Sequence, residues 1–442
     1  MYRKKYIKYK IKYNELKNRL RSAKINNYGV WTELPHELYV IGDIHGDFFT
    51  LKQSLELTEC VNFDPDPELI KHDGKKIEIL DGCQYYSVEK KNIKWNPNKQ
   101  NCTIVFAGDI IDRCRPHPKY NPECTNTIND EDCDLQLLNI LFELDILAQK
   151  YNSRVIVILG NHELLNLQND LRYVSNKGKQ DNNRTQSIKN LLSKNINNIY
   201  GIVRINKYII VHGGINDKFF NEFNPPGTYE IIQSFNLFLR TNIEKSIVDD
   251  ILSKDTSPFW DRTLGGMDPL NVNQCKIIFK DNLLKVKSSL DDLKIIVAHC
   301  PQFNNNKSIG IYNCQEFENK IIRIDVGMSR AFDSYIISED LMKLLDNIDF
   351  NTFNHLSFLY NSDDISNRHV TILKINSIKE TTLTGILSVE YFYNTVFKNK
   401  KLAILYLLTD LRKVISSEEL LIRRPHLLDC LTKIDFILNS NF

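Results

Sequence analysis

At 442 residues, with 42% hydrophobic and 25% charged side chains, the chain is long enough for one large α/β domain with additions or for two domains. No uninterrupted apolar stretch approaches about 18 residues, and no hydrophobic signal core follows the basic N-terminus, which argues against a membrane span and predicts a cytoplasmic, intracellular protein. The net charge of +2 hides an asymmetry, because residues 1–24 carry ten Lys and Arg against a single Glu and the remainder is net acidic; general nucleic-acid binding is therefore not expected.

The first predicted element is a basic amphipathic helix. Tyr2, Tyr6, Tyr9, Tyr13, Leu16 and Leu20 recur at alternating spacings of four and three, forming one seam flanked by lysines. Three uses fit such an arm, taken here as residues 1–30: packing on its own domain, a self-association or partner helix, or an anchor to an anionic surface. The run YRKKYIKYKIKY also resembles N-terminal segments of proteins from very large DNA viruses, which would place the chain in a host cytoplasm or virion.

From about residue 38 to residue 375, strand-like and helix-like segments alternate, the pattern of a layered α/β domain, and the body is assigned to residues 31–375. Five short apolar runs within it each end in a metal-ligating residue type: LYVIGDIHG, TIVFAGDIIDR, VIVILGNHE, YIIVHGG and IIVAHCPQ. A run of Val, Ile and Leu reads as a buried strand. Side chains just past its C-terminal end project into the mouth of a sheet, so ligands from separate runs converge.

Two stretches interrupt this pattern. Residues 61–100 hold the turn signals DPDP, HDG and WNPN around KKIEIL and YYSVE and predict a hairpin excursion. Residues 114–134 hold three prolines and no periodicity, predicting a surface loop that leaves directly from the second motif and overhangs the site. After VTILKI (370–375), helical patterns around KLAILYLLTDLRKVI and SSEELLIRRPHLLDCLTKIDFIL predict a C-terminal helical appendage over 376–442. The ten cysteines include no CxxC pair, so buried thiols are expected rather than a disulfide framework or a zinc knuckle. Cys114, Cys124 and Cys133 crowd one loop, where the alternative is an auxiliary metal or redox pair.

The chemistry follows from the motif ends. GDIHG (42–46) puts Asp43 and His45 two apart on a tight turn, where both can face one ion while Gly42 and Gly46 let the backbone bend around it. GDIIDR (108–113) adds Asp109, a carboxylate suited to bridging two divalent ions, with Asp112 and Arg113 on the same turn. GNHE (160–163) adds the amide oxygen of Asn161 and, beside it, His162. His212 and His299 complete the shell of a second ion. Two ions about 3.5–4 Å apart can bind a bridging hydroxide and clamp a phosphate for in-line attack. Carboxylate, imidazole and amide oxygen suit Mn²⁺, Fe²⁺/Fe³⁺ or Zn²⁺ without choosing among them.

These motifs, in this order over residues 38–375, resemble those of the calcineurin-like metallophosphoesterases, a β-sandwich flanked by helices. The GDxxDR and GNHE forms resemble the phosphoprotein phosphatase branch. The resemblance implies metal one on Asp43, His45 and Asp109, and metal two on Asp109, Asn161, His212 and His299. It implies His162, oriented by Asp112, as general acid, and Arg113 forked onto phosphate oxygens. SPFWDR (257–262) resembles the family's phosphate-arginine region, making Arg262 a second clamp and Trp260 a packing residue. RIDVGMSRAF (323–332) resembles a segment of the bacterial-type Shewanella-like phosphatases, and the eukaryotic-type SAPNYC signature is absent.

Two departures stand out. The usual DRG is Asp112-Arg113-Cys114 here, so strain is expected at Cys114 where a glycine would take φ > 0 freely. The last motif is Ala298-His299-Cys300, which keeps the ligand and leaves Cys300 as either an inert core thiol or an oxidation-sensitive neighbour of the metals. His36, His72, His117, His355, His369 and His426 read as surface or core positions, His117 being in the overhanging loop.

Three functions fit: a Ser/Thr or Tyr protein phosphatase, a phosphodiesterase or dinucleoside polyphosphate hydrolase, and a non-enzymatic metal-binding scaffold. Complete ligands and a general acid favour an enzyme, because a scaffold needs no acid.

Overall fold

In the computed structural model, the residues described are 28–64, 70–72, 77–79, 83, 86–116, 124, 132–223, 231–245, 247–266, 293–302, 310–312, 321–329, 331, 369–386, 412, 428, 431, 432 and 435. Residues 1–24, His117, most of the loop 114–134 and most of the stretch after residue 386 lie outside them.

Two six-stranded sheets carry the fold. In the first, β2 (Glu37–Ile41), β7 (Cys102–Phe106), β8 (Arg154–Ile158) and β9 (Ile199–Tyr200) run parallel, and β15 (His369–Ile375) and β16 (Glu380–Ile386) continue it antiparallel beyond β2. The second has the order β1 (Val30–Trp31), β10 (Ile202–Ile205), β11 (Tyr208–Val211), β12 (Lys294–Val297), β14 (Ile321–Arg323) and β13 (Gly310–Tyr312), with β11, β12 and β14 mutually parallel. The unbroken apolar runs explain the parallel strands, since such strands are covered on both faces. Val40, Ile104 and Ile156 of one sheet share a single buried core with Ile209, Ile296 and Ile322 of the other.

The chain passes between the sheets at Gly201, whose N–H donates to Asn236 Oδ1 at 2.8 Å. Four helices frame the site: α1 (Phe48–Leu57), α2 (Asp134–Ala148), α3 (Asn161–Leu167) and α4 (Arg184–Lys194). Asp47 caps α1 by accepting from Thr50 N at 3.2 Å. Among the described residues, no helix is long and apolar enough to cross a membrane.

The excursion expected over 61–100 is a pair of short ribbons. β3 (Val61–Phe63) pairs with β6 (Ile93–Trp95), and β4 (Ile70–His72) pairs with β5 (Ile77–Ile79).

Two expectations are corrected. Residues 380–386, assigned to a helical appendage, form the strand β16, because ETTLTGI offers its backbone to the free edge of β15; Arg412, Leu428, Leu431, Thr432 and Asp435 are helical, with Arg412 paired to Asp435. The cysteines are not all thiols, since Cys83–Cys133 and Cys114–Cys124 are disulfides, with Cα separations of 5.8 and 5.9 Å. Pairing depends on that spatial approach, which the spacing along the chain does not report. Cys60, Cys102 and Cys300 are buried thiols.

Candidate metal centre

Each expected ligand, and the expected general acid His162, stands one to four residues past the C-terminal end of a parallel strand, and all are buried: Asp43 and His45 after β2, Asp109 after β7, Asn161 and His162 after β8, His212 after β11 and His299 after β12. Asp109 is central. Its Oδ2 lies 3.3 Å from His212 Nε2, 3.7 Å from His162 Nε2 and 3.9 Å from His45 Nε2. Donor atoms of His45, Asp109 and His162 lie within 4.8 Å of one another, and so do those of Asp109, His212 and His299. Asp43 stands beside the first group, its Oδ2 3.6 Å from His45 Nε2, and Asn161 Oδ1 is 3.0 Å from His212 Nε2.

Three of the expected ligand residues adopt left-handed backbone, His45 at φ 47°, Asp109 at φ 50° and His299 at φ 66°, as does Asp112 at φ 72°. Such conformations cost roughly 1–3 kcal/mol each and persist where the surroundings over-determine them. The strain expected at Cys114 therefore falls on Asp112 instead, one residue before Arg113, while Cys114 is tied into a disulfide. Gly160 is required by close approach: a Cβ there would stand 2.1 Å from Asp109 Oδ1.

Hydrogen bonds to the far side of each ring fit a metal centre. Nδ1 of His212 faces Ala107 O at 2.8 Å and Nδ1 of His45 faces Ile111 O at 3.3 Å. A carbonyl can only accept, so Nδ1 carries the proton and each Nε2 turns a lone pair into the cluster. Among the described residues, His299 Nε2 is buried without a hydrogen-bond partner, as expected of an atom whose partner is an ion.

His162 is held differently. Its Nδ1 faces a carboxylate, Asp112 Oδ2, at 2.8 Å, and Asp112 Oδ1 accepts from Asn166 Nδ2 at 2.8 Å and Arg184 Nη2 at 3.2 Å. Arg184 also donates to Asn166 Oδ1 at 2.7 Å and to Asp134, closing a buried network behind the imidazole. Glu163 fixes the second motif by accepting from Gly160 N, Asp109 N, Ile110 N and Ile111 N at 2.7–3.2 Å.

The electrostatics are those of a cation site. Burial, then Asp325 and Asp109, push the Asp43 carboxyl well above its usual range. Burial acts on Asp109 in the same direction, but His212 and His162 beside it outweigh that and hold it well below the usual range. Burial lowers His45 and His299, with Arg115 and His212 respectively adding to the effect, so both rings favour the neutral, ligating form.

Around this cluster stand three arginines. Arg113 is buried, its stem packed against Gly46. Arg262, at the exposed rim, donates to Cys300 Sγ at 3.6 Å and is close enough to His299 to depress it. The segment 257–262 is docked on the fourth motif by Gly213 N donating to Pro258 O at 2.8 Å. Trp260, read as a packing residue, packs edge-on against His299 with ring centroids 6.2 Å apart. Burial pushes the Cys300 thiol up, which favours the inert reading of that residue.

Sequence reasoning did not single out Arg115, whose guanidinium bonds His45 Nε2 and lies 5.8 Å over the Tyr173 ring. The signal was present in the second cation of Asp112-Arg113-Cys114-Arg115. Nor did it single out Glu163, Arg184 or Asp325, whose roles depend on elements far apart in the chain.

The sequence profile of the family described as calcineurin-like phosphoesterase matches residues 36–328, more than half of the chain. The chain belongs to this family. It is accordingly a hydrolase, a metal-dependent phosphoesterase of a family that uses two divalent ions. The phosphoesterase is 26% identical over 337 residues to Shewanella-like protein phosphatase 1 of Plasmodium berghei, covering 72% of this chain and 74% of that one. It is 28% identical over 224 residues to an uncharacterised protein of Acanthamoeba polyphaga mimivirus, covering 42% of this chain and 86% of the relative. Among solved structures, a cold-active protein-tyrosine phosphatase of a psychrophilic Shewanella species is similar over 80% of this chain and 82% of its own, at 18% identity and a TM-score of 0.46.

Proposed function

We propose that this phosphoesterase is a phosphomonoesterase acting on phosphoproteins, releasing phosphate from seryl, threonyl or tyrosyl side chains. The observation that carries the reading is the pairing of His162 with Asp112 at 2.8 Å beside the ligand cluster. A carboxylate behind Nδ1 fixes the aim of the ring, and an acid at Nε2 serves the leaving alkoxide of a seryl or threonyl ester, a poor leaving group. The relationship to a chain named as a protein phosphatase supports the same substrate class.

When bound, a pair of divalent ions, Mn²⁺, Fe²⁺/Fe³⁺ or Zn²⁺, supplies Lewis acidity toward the phosphoryl oxygens and makes water acidic enough to serve as nucleophile near neutral pH. Asp43, His45 and Asp109 would hold one ion, and Asp109, Asn161, His212 and His299 the other, Asp109 being the residue common to both convergent groups. His162 holds its proton at Nε2 and delivers it to the departing oxygen, while Asp112 keeps the ring aimed. Arg115 and Arg113 neutralise the phosphate from the His45 side and Arg262 from the His299 side, through guanidinium forks that can donate to two phosphate oxygens at once.

Turnover of phosphopeptides set against dinucleoside polyphosphates and a phosphodiester dye tests the reading. Preference for phosphopeptides supports it. Preference for either of the others moves the function to a nucleotide hydrolase or a phosphodiesterase.

A further inference from the structure

Of the four parallel strands of the first sheet β2, β7 and β8, and of the second sheet β11, β12 and β14, point at the centre, and five of these six are followed by an expected ligand. The sixth is β14, parallel to β12 with Ile296 opposite Ile322. Two residues past its end stands Asp325, at the same offset at which Asp43 follows β2 and His299 follows β12. Asp325 is 1% exposed. Its Oδ1 accepts from Gly327 N at 3.0 Å, yet its buried Oδ2 has no hydrogen-bond partner among the described residues.

The position is tightly held. Asp325 O accepts from Gln302 N at 3.0 Å, and a Cβ on Gly42 would come within 3.2 Å of Asp325 Cα and 2.5 Å of Ile324 O. The end of β14 therefore presses on the residue just before Asp43. Asp43, Asp109, His212 and Arg115 of the ligand cluster, and the Cys300 thiol, are near enough to act on it electrostatically. A buried carboxylate oxygen with no donor is costly unless a cation or the water of a cation stands opposite. Asp325, like Asp43 beside it, is not among the convergent donor groups, and it follows the sixth strand rather than one of the five motif strands.

We propose that Asp325 is an outer carboxylate of the metal centre, a positioning residue whose free Oδ2 accepts from a water carried by the ion on the Asp43–His45–Asp109 side. The proposal rests on the two-ion reading above. Outer carboxylates of this kind orient a metal shell, and their loss weakens metal affinity by roughly 10–100-fold.

The test is calorimetric titration of Mn²⁺ alone into chelator-stripped full-length protein, compared between wild type, Asp325→Asn and Asp325→Ser. Wild type should bind two ions. Both variants should also bind two, one of them roughly 10–100-fold more weakly and the other within about threefold of wild type. Without metal, Asp325→Asn should melt no lower than wild type, because it removes a buried charge that repels Asp43 and Asp109. Variants that bind both ions with wild-type affinity overturn the proposal and leave the two-ion reading standing. Metal-free variants that melt far below wild type also overturn it, by making Asp325 a structural residue. Wild type binding fewer than two ions overturns the two-ion reading itself, and the proposal with it.

Discussion

His162 Nδ1 lies 2.8 Å from Asp112 Oδ2, while the opposite ring nitrogen lies 3.7 Å from Asp109 Oδ2. One imidazole thus connects the Asn166–Arg184 network to the metal centre, and its aim is set from behind. If it is the general acid, His162→Ala should slow esters of poorly acidic alcohols by roughly 10²–10⁴ and spare activated aryl esters, whose leaving group needs no proton. Turnover across a leaving-group series checks this. An equal loss on every ester would make His162 a binding or metal-orienting residue.

Arg115 reaches His45 from just past the second motif, its guanidinium bonded to His45 Nε2 at the edge of the ligand cluster. Arg115→Ala should reduce kcat/KM for a small aryl phosphate by about 10–100-fold, in line with the roughly 1.5–3 kcal/mol of a hydrogen bond to a charged group. Inhibition by inorganic phosphate should weaken in parallel. Unchanged phosphate inhibition would remove Arg115 from the substrate site.

The four N–H groups gathered by Glu163 make a structural prediction. Glu163→Gln turns an amide NH₂ toward backbone donors that the Glu163 carboxylate accepts from, and each orphaned donor costs roughly 1–3 kcal/mol. Denaturant unfolding should show the loss, and a variant as stable as wild type would mean the motif is held elsewhere.

Five strand-and-ligand runs were legible in the sequence because each is a continuous apolar segment followed by a polar residue of ligating type. The covering of both faces makes such strands stand out from their surroundings. Less was legible where a feature depends on contact. β14 is three residues long and ends in Arg323, so Asp325 was seen only within a resemblance and not as the end product of a sixth strand. β1 is two residues long and exists because β10 offers it an edge. The Cys83–Cys133 disulfide joins positions 50 residues apart, and no spacing rule selects that pair. The loop expected to lie on the surface is pinned at Cys114 and Cys124, both buried.

Stability should depend on pH through Glu37, on β2. Burial opposes ionisation there, but hydrogen bonds from Lys374 and Lys99 win and hold the carboxyl down at about 2, against an ordinary value of 4.5. A depressed folded pKa contributes stability that is fully present above the unfolded value and is lost as pH falls from about 4.5 toward about 2. Glu37→Gln should therefore destabilise the protein at pH 7 and converge with wild type near pH 2. Thermal melts across that range check it, and a difference that does not shrink in acid would contradict it.

The central claim is that phosphoester hydrolysis occurs at a two-ion centre organised by Asp109, whose Oδ2 lies within 4.0 Å of His45, His162 and His212 together. The most direct measurement is turnover of an aryl phosphate by chelator-stripped and Mn²⁺-reconstituted protein, wild type beside Asp109→Asn. Wild type should be inactive when stripped and recover on reconstitution, and Asp109→Asn should stay inactive in both states, because the lost charge is the one that holds both ions. Turnover near the wild-type rate in Asp109→Asn, or in stripped wild type, would contradict the account.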